Sequence, residues 1–266
     1  MADAESFYKP EEAICNGDGR EERLMQFIQS HPDYSKMRGS PSTVLSAIDE
    51  FAQTQDFLMN VGKFKGSIVS QYIASHRPKL MVELGGYIGY SAIMFGAAAR
   101  VAGGERYLSL EIKPAFAAVA RSLIALAGLD DFVHVITAPC SDSLRQLALA
   151  TPRRAIDLLF IDHQKSAYLG HLMLCEELSL IRPGTCIIAD NVIRPGAPLY
   201  LDYVRGPYKE KTDIRRIAAQ HDDEFPEGKP ELIYDTRLCH SLEPSGEADG
   251  LEVSVCQGSA FDHDGE

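Results

Sequence analysis

Between residues 79 and 189 the chain repeats one pattern: a short apolar run, a turn, then a longer segment with helical spacing. Residues 79–84, 106–111, 132–137, 156–162 and 185–189 read as strands. The intervening stretches 91–101, 114–128, 141–149 and 169–180 read as helices. The strands are apolar on both faces, as they must be when helices cover each side of a sheet, and strands joined through helices lie parallel. This alternation predicts an α/β fold with a doubly wound, mostly parallel sheet.

Three further helices are predicted ahead of the first strand. Leu24, Phe27 and Ile28 carry one over 20–30; Val44, Leu45, Ile48 and Phe51 carry a second after Ser40-Pro41; a third runs from Gly66 to the residues before Pro78. After residue 189 the pattern changes. Segments 232–239 and 251–257 read as strands joined by a polar loop with no helix, which predicts an antiparallel pair at one sheet edge. The charged stretch 209–230, with Lys209, Glu210, Lys211, Arg215 and Arg216 followed by Asp222, Asp223 and Glu224, reads as a solvated helix and a surface loop. Residues 21–258 are expected to form a single domain including the N-terminal helices. Polar tails at 1–20 and 259–266 are expected to be mobile.

Composition narrows the partners. The 266 residues carry 26 Lys+Arg against 38 Asp+Glu, a net charge of -12, the wrong sign for a protein that displaces counterions from a phosphate backbone. No nucleic-acid partner is expected. The six cysteines form no C-x-x-C pair and several sit in apolar runs, which suits a reducing compartment. No apolar run approaches the ~18 residues of a membrane span, and MADAESFYKPEEA is too acidic for a secretory leader. A cytoplasmic protein, monomeric or weakly homodimeric and without a membrane partner, is expected.

In an open parallel sheet, ligands bind beyond the carboxyl ends of the strands. The first core strand ends in Glu83-Leu84-Gly85-Gly86-Tyr87-Ile88-Gly89-Tyr90-Ser91. Its glycines allow a tight turn and close backbone approach, but G-x-G-x-x-G fails because Leu84 stands two before Gly86. A pyrophosphate is therefore not the favoured guest. Glu111 ends the next strand about twenty residues on, where a carboxylate accepts hydrogen bonds from ribose hydroxyls. A nucleoside without a phosphate chain fits both features, and S-adenosylmethionine is such a molecule. The plainer alternative is a bare turn and a surface charge.

Asp162 ends the fourth core strand, and Asp190-Asn191 follow the fifth. Adjacent parallel strands lie ~4.8 Å apart, so these side chains can converge. Two carboxylates and an amide oxygen suit Mg²⁺, which keeps positions open for water and substrate oxygens. As single residues, Asp162 and Asp190 are also candidate helix caps. Lys165, three residues after Asp162, is either a solvated charge or a general base, since its ammonium form is disfavoured beside a divalent cation and a sulfonium. Together these residues describe methyl transfer to oxygen.

Residues 57–66 (FLMNVGKFKG), 82–91 (VELGGYIGYS), 160–168 (FIDHQKSAY) and 189–198 (ADNVIRPGAP) closely resemble the catechol O-methyltransferase family, and the similarity runs from about residue 20 to 257. The resemblance implies a Rossmann-like class I methyltransferase fold, with Mg²⁺ on Asp162, Asp190 and Asn191 and Lys165 as the catalytic base. It implies cofactor contacts from Met59, Val61, Glu83, Gly85, Tyr87, Tyr90, Ser91, Glu111, Asp162 and His163. Cys140-Ser141 replaces the family's usual Ser-Gln pair against adenine. Counting back from Asp249-Gly250-Leu251-Glu252, the carboxylate that binds the acceptor's second hydroxyl falls on Glu243, although Pro244 departs from the pattern. Gln164 and Phe57 stand where the family usually has Trp, while Pro195 is retained. The chain contains no Trp, so methyl transfer is better supported than catechol as the acceptor. Arg194 adds a charge before Pro195.

The expectation is S-adenosylmethionine-dependent, Mg²⁺-assisted methylation of a hydroxyl on a catechol or similar vicinal-diol small molecule. The alternatives are a different acceptor, a noncatalytic S-adenosylmethionine-binding module, and an NAD-dependent oxidoreductase, the last disfavoured by the failed glycine pattern.

Overall fold

The computed structural model describes residues 7–151, 154–221 and 224–261. The apolar runs form parallel strands β1 (Leu80–Leu84), β2 (Arg106–Glu111), β3 (Val133–Thr137), β4 (Leu158–Ile161) and β5 (Cys186–Ala189). Three helices precede them: α1 (Arg20–Ser30), α2 (Tyr34–Met37) and α3 (Pro41–Thr54). Helix α4 (Gly62–His76) leads into β1, and α5 (Tyr90–Val101), α6 (Pro114–Leu126), α7 (Cys140–Leu149) and α8 (Tyr168–Glu177) alternate with the strands. Then come α9 (Pro198–Arg205), α10 (Tyr208–Ala218) and the long strands β6 (Leu232–Leu242) and β7 (Ala248–Ser259).

The seven-stranded sheet has the order β3-β2-β1-β4-β5-β7-β6. Strands β5 to β7 and β6 to β7 pair antiparallel, so the expected hairpin forms the edge. Strand order reverses at β1, which pairs with β2 on one side and β4 on the other. A crevice beyond the carboxyl ends of these strands is the natural ligand position. Because β7 runs against β5, with Glu252 opposite Ala189, the start of β7 projects past the end of β5 into that crevice.

Alternate strand residues feed two cores. Leu158 and Phe160 point to the side covered by α1, α3, α4, α5 and α6, while Leu159 and Ile161 meet α7, α8 and α9. Phe95 meets Phe160 edge-on with ring centroids 5.1 Å apart. Each such buried ring contributes on the order of 1.5–3 kcal/mol.

One expectation changes. Lys211 is not solvated: it is buried, donates to the Leu232 carbonyl oxygen at 2.5 Å and lies 4.5 Å from the Tyr234 ring centroid. Burial lowers its ammonium to about 8. The long aliphatic stem of a lysine fills apolar space as readily as it reaches water, and charge pattern alone does not separate the two. Asp222 and Asp223 of the expected loop lie outside the described residues.

The expected N-terminal tail lies partly against the domain. The Tyr8 amide donates to the Pro244 oxygen at 2.8 Å, and its hydroxyl bonds Asp49. Arg20 is wholly buried, donating to Asp18 at 2.9 Å and to the Phe57 oxygen at 2.6 Å. Residues 1–6 and 262–266 of the two tails lie outside the described residues. Among the described residues no helix is long and apolar enough to cross a membrane.

Candidate active site

A cavity of about 760 Å³ opens over the carboxyl ends of the central strands, within the usual range for small-molecule sites. Its floor is the β1–α5 turn. Gly85 has φ +94°, and a Cβ there would lie 2.4 Å from the Asp162 carbonyl oxygen. Only glycine lets the loops after β1 and β4 approach this closely. Tyr87, Tyr90 and Ser91 follow on the wall.

Glu111 ends β2 with its carboxylate held by two amides, Tyr87 N to Oε2 at 2.8 Å and Lys113 N to Oε1 at 2.7 Å. A carboxylate fixed this way still offers lone pairs to a pair of hydroxyls. Cys140 and Ser141, at the start of α7, face the same space. Burial, aided by Glu111, pushes the Cys140 thiol up to about 12. His163 is pushed down to about 3 by burial, then by His171 and Lys165, so its imidazole is neutral. Met59 and Val61 close the wall ahead of α4.

Glu83 behaves differently from the other expected cofactor contacts. It lies beneath the wall, fully buried, and accepts the Ser109 hydroxyl at 2.6 Å. Burial pushes its carboxyl up to about 7. Its β1 position aims it at β2 rather than at the cavity, so it acts on the site through its neighbours.

The other half of the cavity is polar. Pairing of Ile161 with Ala189 sets β4 and β5 level, so Asp162 and Asp190 emerge side by side. Lys165 Nζ donates to Asp162 Oδ1 at 2.9 Å and to the Tyr168 hydroxyl at 2.6 Å, and that hydroxyl donates to the Asp190 backbone oxygen at 3.0 Å. Asn191 holds φ +56° and donates its side-chain amide to Glu243 Oε1 at 2.5 Å and Asp249 Oδ2 at 3.0 Å. The hairpin therefore delivers Glu243 to the crevice, as expected.

Behind these residues stands Lys65, wholly buried, with Nζ 2.6 Å from Asp190 Oδ1, 2.6 Å from Glu243 Oε1 and 3.1 Å from Asp249 Oδ2. Burial opposes its charge, but Asp190, Glu243 and Asp162 raise it above the ordinary lysine value. Burial pushes Glu243 above the ordinary carboxyl value, against the pull of Lys65. Asp249, despite burial, is held down to about 2 by Glu243 and Lys65.

Two lysines thus face four carboxyl groups. The ammonium on Asp162 and the ammonium on Asp190 already act as cations for the two strand-end carboxylates. The donors are oxygens, and with the Asn191 amide they form a hard set that fits Mg²⁺ and leaves positions for water and acceptor oxygens.

Sequence reading missed Lys65, Tyr168 and Asp249. Lys65 sits two residues after Lys63 near the start of an amphipathic helix, and nothing local separates the buried lysine from the exposed one. Asp249 anchors the loop after β5 by accepting the amides of Ile193 at 3.2 Å and Arg194 at 2.8 Å. The N-terminal segment was missed too: Asn16 lines the cavity, and Glu21 of α1 accepts the Tyr87 hydroxyl at 2.9 Å.

The model of a family described as O-methyltransferase matches residues 40–217. The chain is 37% identical over 202 residues to catechol O-methyltransferase of Bos taurus, covering 76% of this chain and 72% of that one. It is 36% identical over 193 residues to a probable O-methyltransferase of Mycobacterium tuberculosis, covering 71% and 80%. Among solved structures, an O-methyltransferase from Bacillus cereus in complex with SAH superposes with TM-score 0.56 at 23% identity, over 92% of this chain and 93% of that one. An O-methyltransferase of tomaymycin synthesis from Streptomyces achromogenes, in complex with SAM, gives 0.57 at 21%, over 88% and 99%. These two likenesses show the fold, that of a class I methyltransferase. With the family model spanning most of the chain and relatives above one-third identity, the chain belongs to the O-methyltransferase family and is an S-adenosylmethionine-dependent methyltransferase acting on oxygen.

Proposed function

We propose that the chain transfers the methyl group of S-adenosylmethionine to one hydroxyl of a catechol or similar vicinal-diol small molecule, with Mg²⁺ held by Asp162, Asp190 and Asn191. The observation that carries this reading is the position of Lys165 Nζ, 2.9 Å from Asp162 Oδ1 and tied through Tyr168 to the backbone of Asp190. A base fixed against two candidate ligands of one cation is what an acceptor oxygen on that cation needs.

When bound, the cofactor offers an electrophilic methyl group on its sulfonium and the cation offers Lewis acidity toward the acceptor hydroxyl. Glu111 holds the ribose hydroxyls, its carboxylate immobilised by the Tyr87 and Lys113 amides. Cys140, Ser141 and His163 would hold the adenine. Gly85 and Tyr87 would help hold the cofactor at the cavity floor. Lys165 Nζ would take the proton of the attacking hydroxyl, whose oxygen would receive the methyl group. Glu243, beside Asn191, receives the second hydroxyl.

The mouth argues for tolerance of acceptor shape. Gln164, Pro195 and Arg194 line it, and the largely exposed Arg194 pairs with Glu247 at 2.8 Å.

The test is labelled S-adenosylmethionine with a panel of catechols, matched monophenols and non-aromatic vicinal diols, each with Mg²⁺ or with excess chelator. Labelled methyl ethers from the diols, lost on chelation, are expected. Equal turnover of monophenols, or activity indifferent to chelation, overturns the acceptor or the metal assignment respectively.

A further inference from the structure

One cluster in the cavity includes a histidine, His171, to which methyl transfer gives no role. Cys140 opens α7, His163 follows β4, and His171 lies in the first turn of α8, so three separate elements converge. One ligating atom from each can be chosen so that all three lie within 4.8 Å of one another. The imidazoles face each other, His163 Nε2 to His171 Nδ1 at 2.6 Å, with ring centroids 4.8 Å apart. The His163 ring also stacks on Tyr168 at 5.2 Å, which holds its plane. Among the described residues, His163 Nδ1 is buried and has no hydrogen-bond partner. A buried ring nitrogen without a partner is costly.

The chemistry of this set is opposite to that of Asp162, Asp190 and Asn191. One thiolate and two imidazoles form a soft-to-borderline donor set, which selects zinc-type cations and not Mg²⁺. Tetrahedral coordination by one sulfur and two nitrogens separates the donors by roughly 3.3 to 3.6 Å, from bond lengths of about 2.3 and 2.0–2.1 Å. The imidazoles need to part by less than about 1 Å, within reach of side-chain rotation. All three residues line the cavity, so a fourth position opens into it, as at zinc sites that keep an exchangeable ligand.

We propose that Cys140, His163 and His171 bind a zinc-type divalent cation in the cofactor-free protein, and that this cation excludes the nucleoside end of S-adenosylmethionine. The exclusion rests on the reading of Cys140 and His163 as the adenine wall; the binding does not. On coordination the Cys140 S–H bond breaks, the sulfur–metal bond forms and the proton leaves to solvent, with no change of oxidation state. Zinc then competes with the cofactor while Mg²⁺ does not relieve the inhibition.

The experiment uses Co²⁺ and Zn²⁺ on the full chain freed of cofactor. One equivalent of Co²⁺ is expected to produce a thiolate-to-cobalt charge-transfer band, which Cys140→Ser abolishes and S-adenosylhomocysteine reverses. In turnover assays, zinc is expected to raise the apparent cofactor KM. His171→Asn, compared with its own zinc-free rate, is expected to be at least tenfold less sensitive to zinc, with circular dichroism confirming its fold. A wild-type cobalt complex without the thiolate band, or a band that survives Cys140→Ser, overturns the site. Unchanged zinc inhibition in His171→Asn places the inhibitory zinc elsewhere and also overturns it. The spectroscopic arm requires no methyl transfer, so its outcome holds whatever the acceptor is.

Discussion

Lys65 Nζ lies 2.6 Å from Asp190 Oδ1, and both side chains are buried. An ammonium removed from water is tolerated only where carboxylates compensate it, and here the compensating group is itself a candidate metal ligand. Lys65 thereby fixes Asp190, Glu243 and Asp249 in one arrangement before any cation arrives.

Lys65→Met is expected to destabilise the fold by roughly 3–5 kcal/mol, the cost of breaking a buried pair and leaving its partner unpaired. Mg²⁺ should recover part of this loss in the variant and do less for the wild type, since a dication on Asp190 restores the missing positive charge. Chemical denaturation with and without Mg²⁺ measures both. Equal metal responses in the two proteins would separate Lys65 from the metal ligands.

Lys165→Ala should lower kcat by ~10² to 10⁴ with cofactor affinity nearly unchanged, as for removal of a positioned base. Lys165→Arg should stay poor, because guanidinium remains protonated and cannot accept the hydroxyl proton. Steady-state kinetics with calorimetric cofactor binding resolves the split; near-normal turnover of the Arg variant means that only positive charge matters there.

Glu111→Ala should weaken cofactor binding by roughly 1.5–3 kcal/mol, the range for hydrogen bonds to a charged group. The loss includes freeing the Tyr87 amide that Glu111 now accepts at 2.8 Å. An unchanged dissociation constant in calorimetry removes Glu111 from the ribose site.

Glu83 predicts a pH dependence of stability. Burial raises its carboxyl from 4.5 to about 7, so the native state holds a proton that the unfolded chain has released. Between these values the folded form binds more protons, and stability falls as pH rises. The full contribution is present below pH 4.5 and is lost once pH passes about 7, a difference of order 3 kcal/mol. The stability of wild type relative to Glu83→Gln should therefore drop by that order between pH 4.5 and 7.5. Parallel denaturation curves across the range would show that Glu83 is ionised throughout.

Local pattern carried most of the fold. The βα alternation, the carboxyl ends of β4 and β5, and the hairpin at the edge are written in period and punctuation, which act over a few residues. Element boundaries moved by a residue or a few: α4 starts at Gly62, four residues before the expected Gly66, and β4 stops at Ile161 instead of 162. Helix α9 was not anticipated, and α10 was legible as the start of the charged stretch 209–230. For α10 the helix was expected, but the burial of Lys211 was not, because its shelter is built by Tyr203 and Tyr234 from other elements.

By itself the amino-acid sequence determined which residues stand at the carboxyl ends of the strands: Asp162 just after β4, and Asp190 and Asn191 just after β5, with Glu111 and the glycine turn ahead of them. Strand ends follow from where apolar runs stop, and a parallel sheet aligns those ends without further information. Only the tertiary structure decided that Lys65 faces Glu243 across 178 residues of chain, that Glu83 turns beneath the wall, and that Cys140 meets His163 and His171. Each depends on which surfaces are stripped of water when helices dock. A lysine, a glutamate or a cysteine carries no local mark of the dielectric it will occupy or the partner it will meet there.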